Sequence, residues 1–376
     1  MRRVALTVCF ERLRWERLQL QEQYRLTATS IKVSPGLVDH CRLVQRITES
    51  QNPEYLKRKR IRGVLRKMET NHMEWLEECG PRECVLLLKA LAGASRYLGR
   101  DHSATMGVPY DDDWSGASPH FSPGFNDWLC AALQRSAQHA SGAEERIALL
   151  AAAAELELAD TPVLQQLCQP LTSREYTANA SPADLVSVLR VSSLLVKRCR
   201  MPLPPLNHVL FRLMTAKLDS RQSLTVLSSL LRLRERHGVE VVRAVSRRAT
   251  DHVATYTPRD VVYALEAIAL LNCCHEAYTG AVLDRCTELH AVLQPTELGS
   301  ICKYVAMLNS SRTNNDAALS CAKELRRLLP ALLNRTEQLL GRFSLRDARC
   351  ILRCFEQHKI HHSVVFSRLT PLTSGA

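Results

Sequence analysis

Hydrophobic positions recur along the chain at helical spacing, and polar turns separate the segments that carry them. After Pro81, for example, Val85, Leu88 and Leu91 lie three residues apart, a spacing that places side chains on one face of an α-helix. Leu, Ala and Val supply most of the apolar side chains, and aromatic residues make up only 5% of the chain. This composition suits helices packed on helices better than strands. The pattern therefore predicts an all-α protein.

Helix starts of one form recur in the second half of the chain. Ser181–Asp184, Thr257–Asp260 and Gln294–Glu297 each have proline at the second position and an acid at the fourth. Ser and Thr cap free backbone amides, proline fits the first helical position, and an acid is favourable in the first turn. Ser220–Gln222 is a weaker start between the first two. Such recurrence indicates a repeat.

The starts fall at regular intervals. Their equivalent first-turn positions are Arg146, Asp184, Gln222, Asp260, Glu297 and Asp347. Consecutive intervals are 38, 38, 38, 37 and 50 residues, so the last one contains an insertion. Five positions after these anchors stand Ala151, Leu189, Leu227, Leu265, Cys302 and Leu352. Eleven positions after, leucine occupies the four middle units, whereas Glu157 and His358 break the column in the outer two.

A second amphipathic segment follows the first helix of each unit, so each unit is predicted to be a helix, a turn and a second helix. Such a unit cannot bury its apolar face alone, and neighbouring units must stack. The predicted fold is an α-solenoid of helix-turn-helix repeats about 38 residues long, with five or six helix pairs and a basic helical N-terminal extension. Irregular helical packing with chance spacing is the alternative.

The predicted organisation divides the chain into five parts. Residues 1–10 resemble a very short mitochondrial presequence, with an ordinary helix start as the alternative. Residues 11–79 form the basic helical extension, and 80–142 form a degenerate unit with a long polar loop at 99–124. The helical-repeat domain spans 143–366, and 367–376 form a tail.

The net charge of +12 attracts polyanions, whether RNA, DNA or an anionic membrane surface, and does not choose among them. Basic residues gather in one N-terminal segment and near the helices of successive units. The candidate RNA-binding residues are Lys57, Arg58, Lys59, Arg60, Arg62, Arg66, Lys67, Lys197, Arg198, Arg200, Arg232, Arg236, Arg243, Arg247, Arg248, Arg326, Arg327, Arg346, Arg349 and Arg353. Cations near helix ends also complement the helix dipole. A solvated basic face and an acidic protein partner therefore remain open, as does a nuclear localisation signal at Lys57–Lys67.

Units of 37 to 38 residues that open with a proline and an acid resemble the octotricopeptide and heptatricopeptide repeats of organellar RNA-binding proteins, the latter found in FAST-kinase-like proteins. The repeat pattern is also similar to that of proteins in protist mitochondrial ribosomes and in their assembly intermediates. The resemblance covers about residues 143–366; no Pro-Pro-Pro-Glu-Trp signature or C-terminal RAP-type domain accompanies it. It implies RNA as ligand, a location in the mitochondrial matrix, and a role in RNA processing or ribosome assembly. Nuclear localisation is the alternative.

Motifs of enzyme chemistry are missing from the sequence. It contains no GxxxxGK[ST] or GxGxxG loop, no HExxH and no GxSxG. Asp111–Asp113 reads as a solvated loop, and Cys350, Cys354 and His358 span too much of one helix to converge on one ion. The cysteines form no CxxC pair, and the chain is neither short nor loop-rich as a secreted disulfide framework would be, which favours a reducing compartment. We therefore expect no catalytic residue, metal or cofactor.

No apolar stretch approaches the length that spans a bilayer, so no membrane insertion is predicted. The functional expectation is a non-catalytic, RNA-associated protein of a mitochondrial ribonucleoprotein, with other proteins of that complex as partners. A protein-protein scaffold of HEAT or armadillo type without direct RNA contact is the main alternative. An enzyme with an unrecognised site is the other.

Overall fold

A computed structural model describes residues 36–97, 121–233, 238–310 and 321–374 of the chain. These residues form 17 α-helices and no strand, which confirms the all-α prediction. The predicted presequence and Asp111–Asp113 lie outside the described residues, as does most of the predicted loop at 99–124. The end of that loop was placed too late, because Pro123 is the first residue of a helix rather than part of the loop.

The helices form two layers. The first layer contains α1 (Leu37–Glu49), α3 (Pro81–Ala94), α5 (Ala143–Leu156), α8 (Pro182–Arg198), α10 (Ser220–Leu233), α12 (Pro258–Leu271), α14 (Pro295–Ser310) and α16 (Leu345–Gln357). The second contains α2 (Glu54–Glu78), α4 (Pro123–His139), α6 (Thr161–Leu171), α7 (Arg174–Asn179), α9 (Asn207–Thr215), α11 (Val239–Ala249), α13 (Glu276–Leu289), α15 (Ala322–Gln338) and α17 (Ser363–Ser374). Each helix packs against the next helix of its own layer, and one continuous apolar core lies between the layers.

The stack is longer than predicted: the described residues form eight helix pairs and one additional short helix, α7, rather than five or six pairs. It begins at α1, before the predicted repeat domain, because the supposed extension has its own core residues. Ile61 and Met68 of α2 are fully buried, although basic residues surround them in sequence. At the other end, α17 covers most of the predicted tail and buries Leu369.

Side-chain caps fix the predicted helix starts. Thr257 and Asp260 form a complete capping box at the start of α12. The Ser181 hydroxyl likewise accepts a hydrogen bond from the Asp184 amide, at 3.2 Å. The supposedly weak start of α10 has an equivalent that the sequence analysis missed: the Gln222 amide donates to Asp219 at 2.8 Å, and the Asp219 amide donates back to the Gln222 side chain at 3.1 Å.

The predicted anchor of the first repeat unit, Arg146, lies one residue too late in the chain. Because α5 begins at Ala143, Glu145 rather than Arg146 occupies the third helical position. Counting from Glu145 places Leu150 and Leu156 in the two apolar columns, and each is only 2% exposed. Glu157, which seemed to break the column, instead ends the helix with a left-handed backbone at φ 56°.

Two first-layer helices, α14 and α16, pack closely at Gly299. A Cβ atom at Gly299 of α14 would lie 2.8 Å from the Asp347 Cβ and 3.0 Å from the Asp347 Cα of α16. Gly299→Ala should therefore lower the free energy of unfolding by about 1–2 kcal/mol, because the two helices must separate. Urea denaturation followed by circular dichroism measures this change.

The matched control is Gly63→Ala in α2, where a Cβ meets nothing within 4 Å. There the helix propensity of alanine should raise stability by up to about 1 kcal/mol. Equal effects of the two substitutions would contradict the close packing of α14 on α16.

Candidate nucleic-acid interface

The outer surface of the first layer is concave between α5 and α12. A groove of about 590 Å³ crosses these four helices. Its charged lining residues are Glu155, Arg190, Arg198, Arg221, Arg232, Arg259 and Asp260. Ser, Thr and Leu side chains and Tyr263 complete the lining.

Helical periodicity explains why these arginines share one surface. Arg190 and Arg198 lie eight residues apart on α8, with Leu194 between them, and all three line the groove. On α10, Arg221 and Arg232 are 11 residues apart, which is close to three turns. On each helix, the arginines that face the groove therefore lie on the side opposite the buried leucines that pack between the layers.

The groove has an excess of positive charge, because five arginines face two carboxylates. Glu155 pairs with Arg198, whose guanidinium donates to the carboxylate at 2.7 Å. Asp260 accepts from the Thr257 amide and hydroxyl at 2.9 and 2.7 Å, so its charge is engaged in capping α12. Concave surfaces with one sign of charge focus the field on a ligand.

One aromatic ring in the groove is held by a neighbouring cation. The Arg259 guanidinium donates to the Tyr263 hydroxyl at 3.0 and 3.2 Å and lies 5.6 Å from the ring centroid. Tyrosine faces stack on unpaired bases, and guanidinium groups bind phosphates. This pair therefore offers both functions at one point of the groove.

The structure divides the predicted candidates between the two layers. Arg198 and Arg232 line the groove, and Arg346, Arg349 and Arg353 lie exposed on α16, farther along the first layer. Lys197 and Arg200 lie exposed at the end of α8, and Arg236 falls outside the described residues. The candidates on second-layer helices are Lys57, Arg58, Lys59, Arg60, Arg62, Arg66 and Lys67 of α2, Arg243, Arg247 and Arg248 of α11, and Arg326 and Arg327 of α15.

Two of the second-layer candidates are engaged in structural contacts. Lys57 is buried, and its ammonium donates to the Thr48 carbonyl at 2.9 Å, in the last turn of α1. The Arg248 guanidinium donates to the carbonyls of Ala216 and Met214, and to that of Leu213 at 3.1 Å. Desolvation lowers the pKa of Arg248. Both side chains serve the fold in this arrangement.

Arg248 belongs to a series that the sequence analysis missed, here called the arginine ladder. In each case an arginine of a second-layer helix donates to a carbonyl at the end of the preceding second-layer helix or its short 3₁₀ continuation. The pairs are Arg135 with Cys79, Arg212 with Thr177, Arg248 with Ala216, Arg285 with Tyr256 and Arg335 with Leu293, at 2.7–3.3 Å. From Arg212 onward the intervals are 36, 37 and 50 residues, which parallel those of the first layer. Arginine spacing was the signal that could have revealed the ladder.

Groove residues were also missed. Arg190, Arg221 and Arg259 line the groove but were not among the candidates, because they stand alone rather than in basic runs. The signal available was their position on the helix face opposite the apolar columns.

The cysteines and histidines of the earlier metal hypotheses do not converge in the described residues. Cys354 is fully buried in the core, whereas Cys350 is half-buried. Within the described ranges no group of three or more His, Cys, Asp or Glu side chains is arranged to hold a metal ion. Among the helices described, none combines the length and apolarity that crossing a membrane requires.

The fold and the groove together define a class: a two-layer α-helical repeat protein with a cationic concave surface on one layer. A scan of the sequence against protein-family models finds no match, and a search of curated proteins finds none either.

Proposed function

We propose that this protein binds RNA through the groove between α5 and α12. The observation that carries the proposal is the set of five arginines gathered there, with both carboxylates of the groove engaged in protein contacts. Arginine binds phosphate with a planar, bidentate geometry, so phosphate contacts would dominate affinity. With one tyrosine in the lining, recognition would depend on backbone and shape more than on base sequence.

We further propose that this binding serves a mitochondrial ribonucleoprotein, as a ribosome component, an assembly factor or an RNA-processing factor. The resemblance to organellar RNA-binding repeats supports this setting, and the net charge of +12 is compatible with it. In this proposal the protein acts by binding rather than by catalysis, with other proteins of the complex as partners.

Binding of a protein partner is the second candidate function. Two exposed aromatic side chains of the second layer favour it. Phe211 of α9 is 67% exposed and Tyr55 of α2 is 74% exposed, although large apolar side chains are usually covered. A scaffold that binds through such residues would be insensitive to salt. RNA binding through arginines would weaken steeply as salt rises.

The test compares two double variants that remove equal charge from opposite layers. Arg190→Gln with Arg221→Gln removes two exposed groove arginines, and Arg243→Gln with Arg247→Gln removes two exposed arginines of α11. Binding to a labelled single-stranded RNA is measured by fluorescence anisotropy over a salt series. The groove variant should bind about 10-fold more weakly, and its salt slope should fall by about 0.7 for each lost contact.

The α11 variant should stay within about twofold of the wild type, because its arginines lie on the other layer. Equal losses in both variants would show that net charge, not the groove, binds RNA. Absence of binding by the wild-type protein would favour the scaffold.

A further inference from the structure

A line of cations continues along the first layer beyond the groove. Cations recur at two positions, each counted from the first-turn anchors Asp184, Gln222, Asp260, Glu297 and Asp347. Arginine stands one residue before the anchor at Arg221, Arg259 and Arg346, and a cation stands six residues after it at Arg190, Lys303 and Arg353. Every first-layer helix from α8 to α16 thus has a cation at one or both positions.

The two positions lie on one side of the layer. They are seven residues apart, close to two helical turns. Arg190 represents one position and Arg221 and Arg259 the other, and all three line the same groove. The equivalent residues of α14 and α16 therefore face the same way. In α5 these positions hold Glu144 and Ala151, so the line begins at α8.

At the far end of the line, three cations lie near enough to one thiol to act on it electrostatically. Lys303 of α14 and Arg346 and Arg353 of α16 all act electrostatically on the half-buried Cys350 thiol. Gly299, one turn before Lys303, allows α14 to pack closely on α16, the helix that carries Arg346 and Arg353. The nearby acid Asp347 is buried and accepts a hydrogen bond from the Ser344 hydroxyl at 2.7 Å.

Resting on the proposed function, we infer that the ligand is a single strand of nucleic acid that crosses the first layer from α8 to α16. Its second anchor is the cluster Lys303, Arg346 and Arg353, here called the distal cluster. Adjacent packed helices lie about 8–10 Å apart, so the distal cluster is on the order of 20 Å beyond α12. A short oligonucleotide fills the groove alone, and a longer one reaches both anchors.

The path between the two anchors is set by charge. Glu266 of α12, six residues after the anchor Asp260, occupies the position that is cationic on α8, α14 and α16, and it accepts a hydrogen bond from the Tyr304 hydroxyl at 2.7 Å. A phosphate is repelled there, so the strand passes the Arg259 end of α12. It continues past Lys303 to α16.

The test measures affinity against ligand length. Oligouridylates from about 4 to about 20 nucleotides, a range that brackets common single-strand site sizes, are titrated against three folded proteins by fluorescence anisotropy. These are the wild type, the distal variant Arg346→Gln with Arg353→Gln, and a control, Lys323→Gln with Arg326→Gln, which removes two exposed cations from α15 of the second layer. Circular dichroism confirms that each variant is folded.

The distal variant should bind the shortest ligand as the wild type does and the longest about 10-fold more weakly. The control should match the wild type at every length. If the distal variant also matches the wild type on the longest ligand, the distal anchor is refuted while the groove proposal stands, since wild-type binding of the shortest ligand tests the groove alone. Failure of the wild type to bind any length overturns both.

Discussion

Raising the pH from about 7.5 to about 10 should lower the free energy of unfolding by about 5 kcal/mol. Burial raises the pKa of the Cys41, Cys168, Cys199 and Cys286 thiols from an ordinary value of 9.0 to about 12. In the unfolded chain the same thiols ionise near their ordinary pKa. Each costs about 1.4 kcal/mol per pH unit in which only the unfolded state is ionised.

The sign follows from the direction of the shift. Because the folded pKa is higher than the unfolded one, the stability these thiols contribute is complete below about pH 9 and is lost as the pH rises toward 12. Urea denaturation under reducing conditions, at several pH values, measures the loss. Cys286→Ala should be less stable at neutral pH, yet it should lose less stability on alkalinisation. A pH-independent stability up to pH 10 would mean that these thiols titrate normally in the fold.

The second large effect is expected at the arginine ladder. Arg248→Met should lower the free energy of unfolding by about 3 kcal/mol. Methionine keeps an apolar stem but leaves the carbonyls of Leu213, Met214 and Ala216 without their donor. These carbonyls lie in or just after the last turn of α9, where helix carbonyls have no partner in their own helix. The positive charge at this helix end is lost as well.

The neighbouring residue is the control. Arg247 lies on the same helix and is exposed, so Arg247→Met should change stability by less than about 0.5 kcal/mol. Denaturant midpoints of the two variants give the comparison. Equal destabilisation would show that the helix tolerates neither substitution and that the ladder contact has no special role.

The fold was predictable where local chemistry marks the helix starts. Ser181 and Thr257 cap α8 and α12 as expected, since a capping side chain and an early proline act within one turn. Side-chain caps are missing at α1, α3 and α4, where Gly36, Gly80 and Ser122 make no cap hydrogen bond, although Pro81 and Pro123 open α3 and α4. Without these caps, the predicted repeat domain starts at residue 143, after a degenerate unit at 80–142, although the stack begins at α1.

The site was less predictable than the fold. Runs of basic residues made α2 and α11 candidates for the binding surface. A run of charges shows only that part of a segment is exposed to solvent, and both layers of this stack have a solvated face. Among the candidates, Arg198 and Arg232 reach the groove, whereas Arg190 and Arg221 were overlooked as isolated residues. A run of charges does not indicate which layer its helix joins, because that depends on long-range packing.

The arginine ladder sets a rule for how a chain of this type can change in length. Each rung takes its donor from one unit and its acceptor from the unit before. Duplicating or deleting a whole unit preserves these contacts, because the units that become neighbours again supply an arginine donor and a helix-end carbonyl acceptor. A breakpoint inside a second-layer helix separates an arginine from its helix end and leaves orphaned carbonyls. Growth by complete modules is therefore the tolerated route.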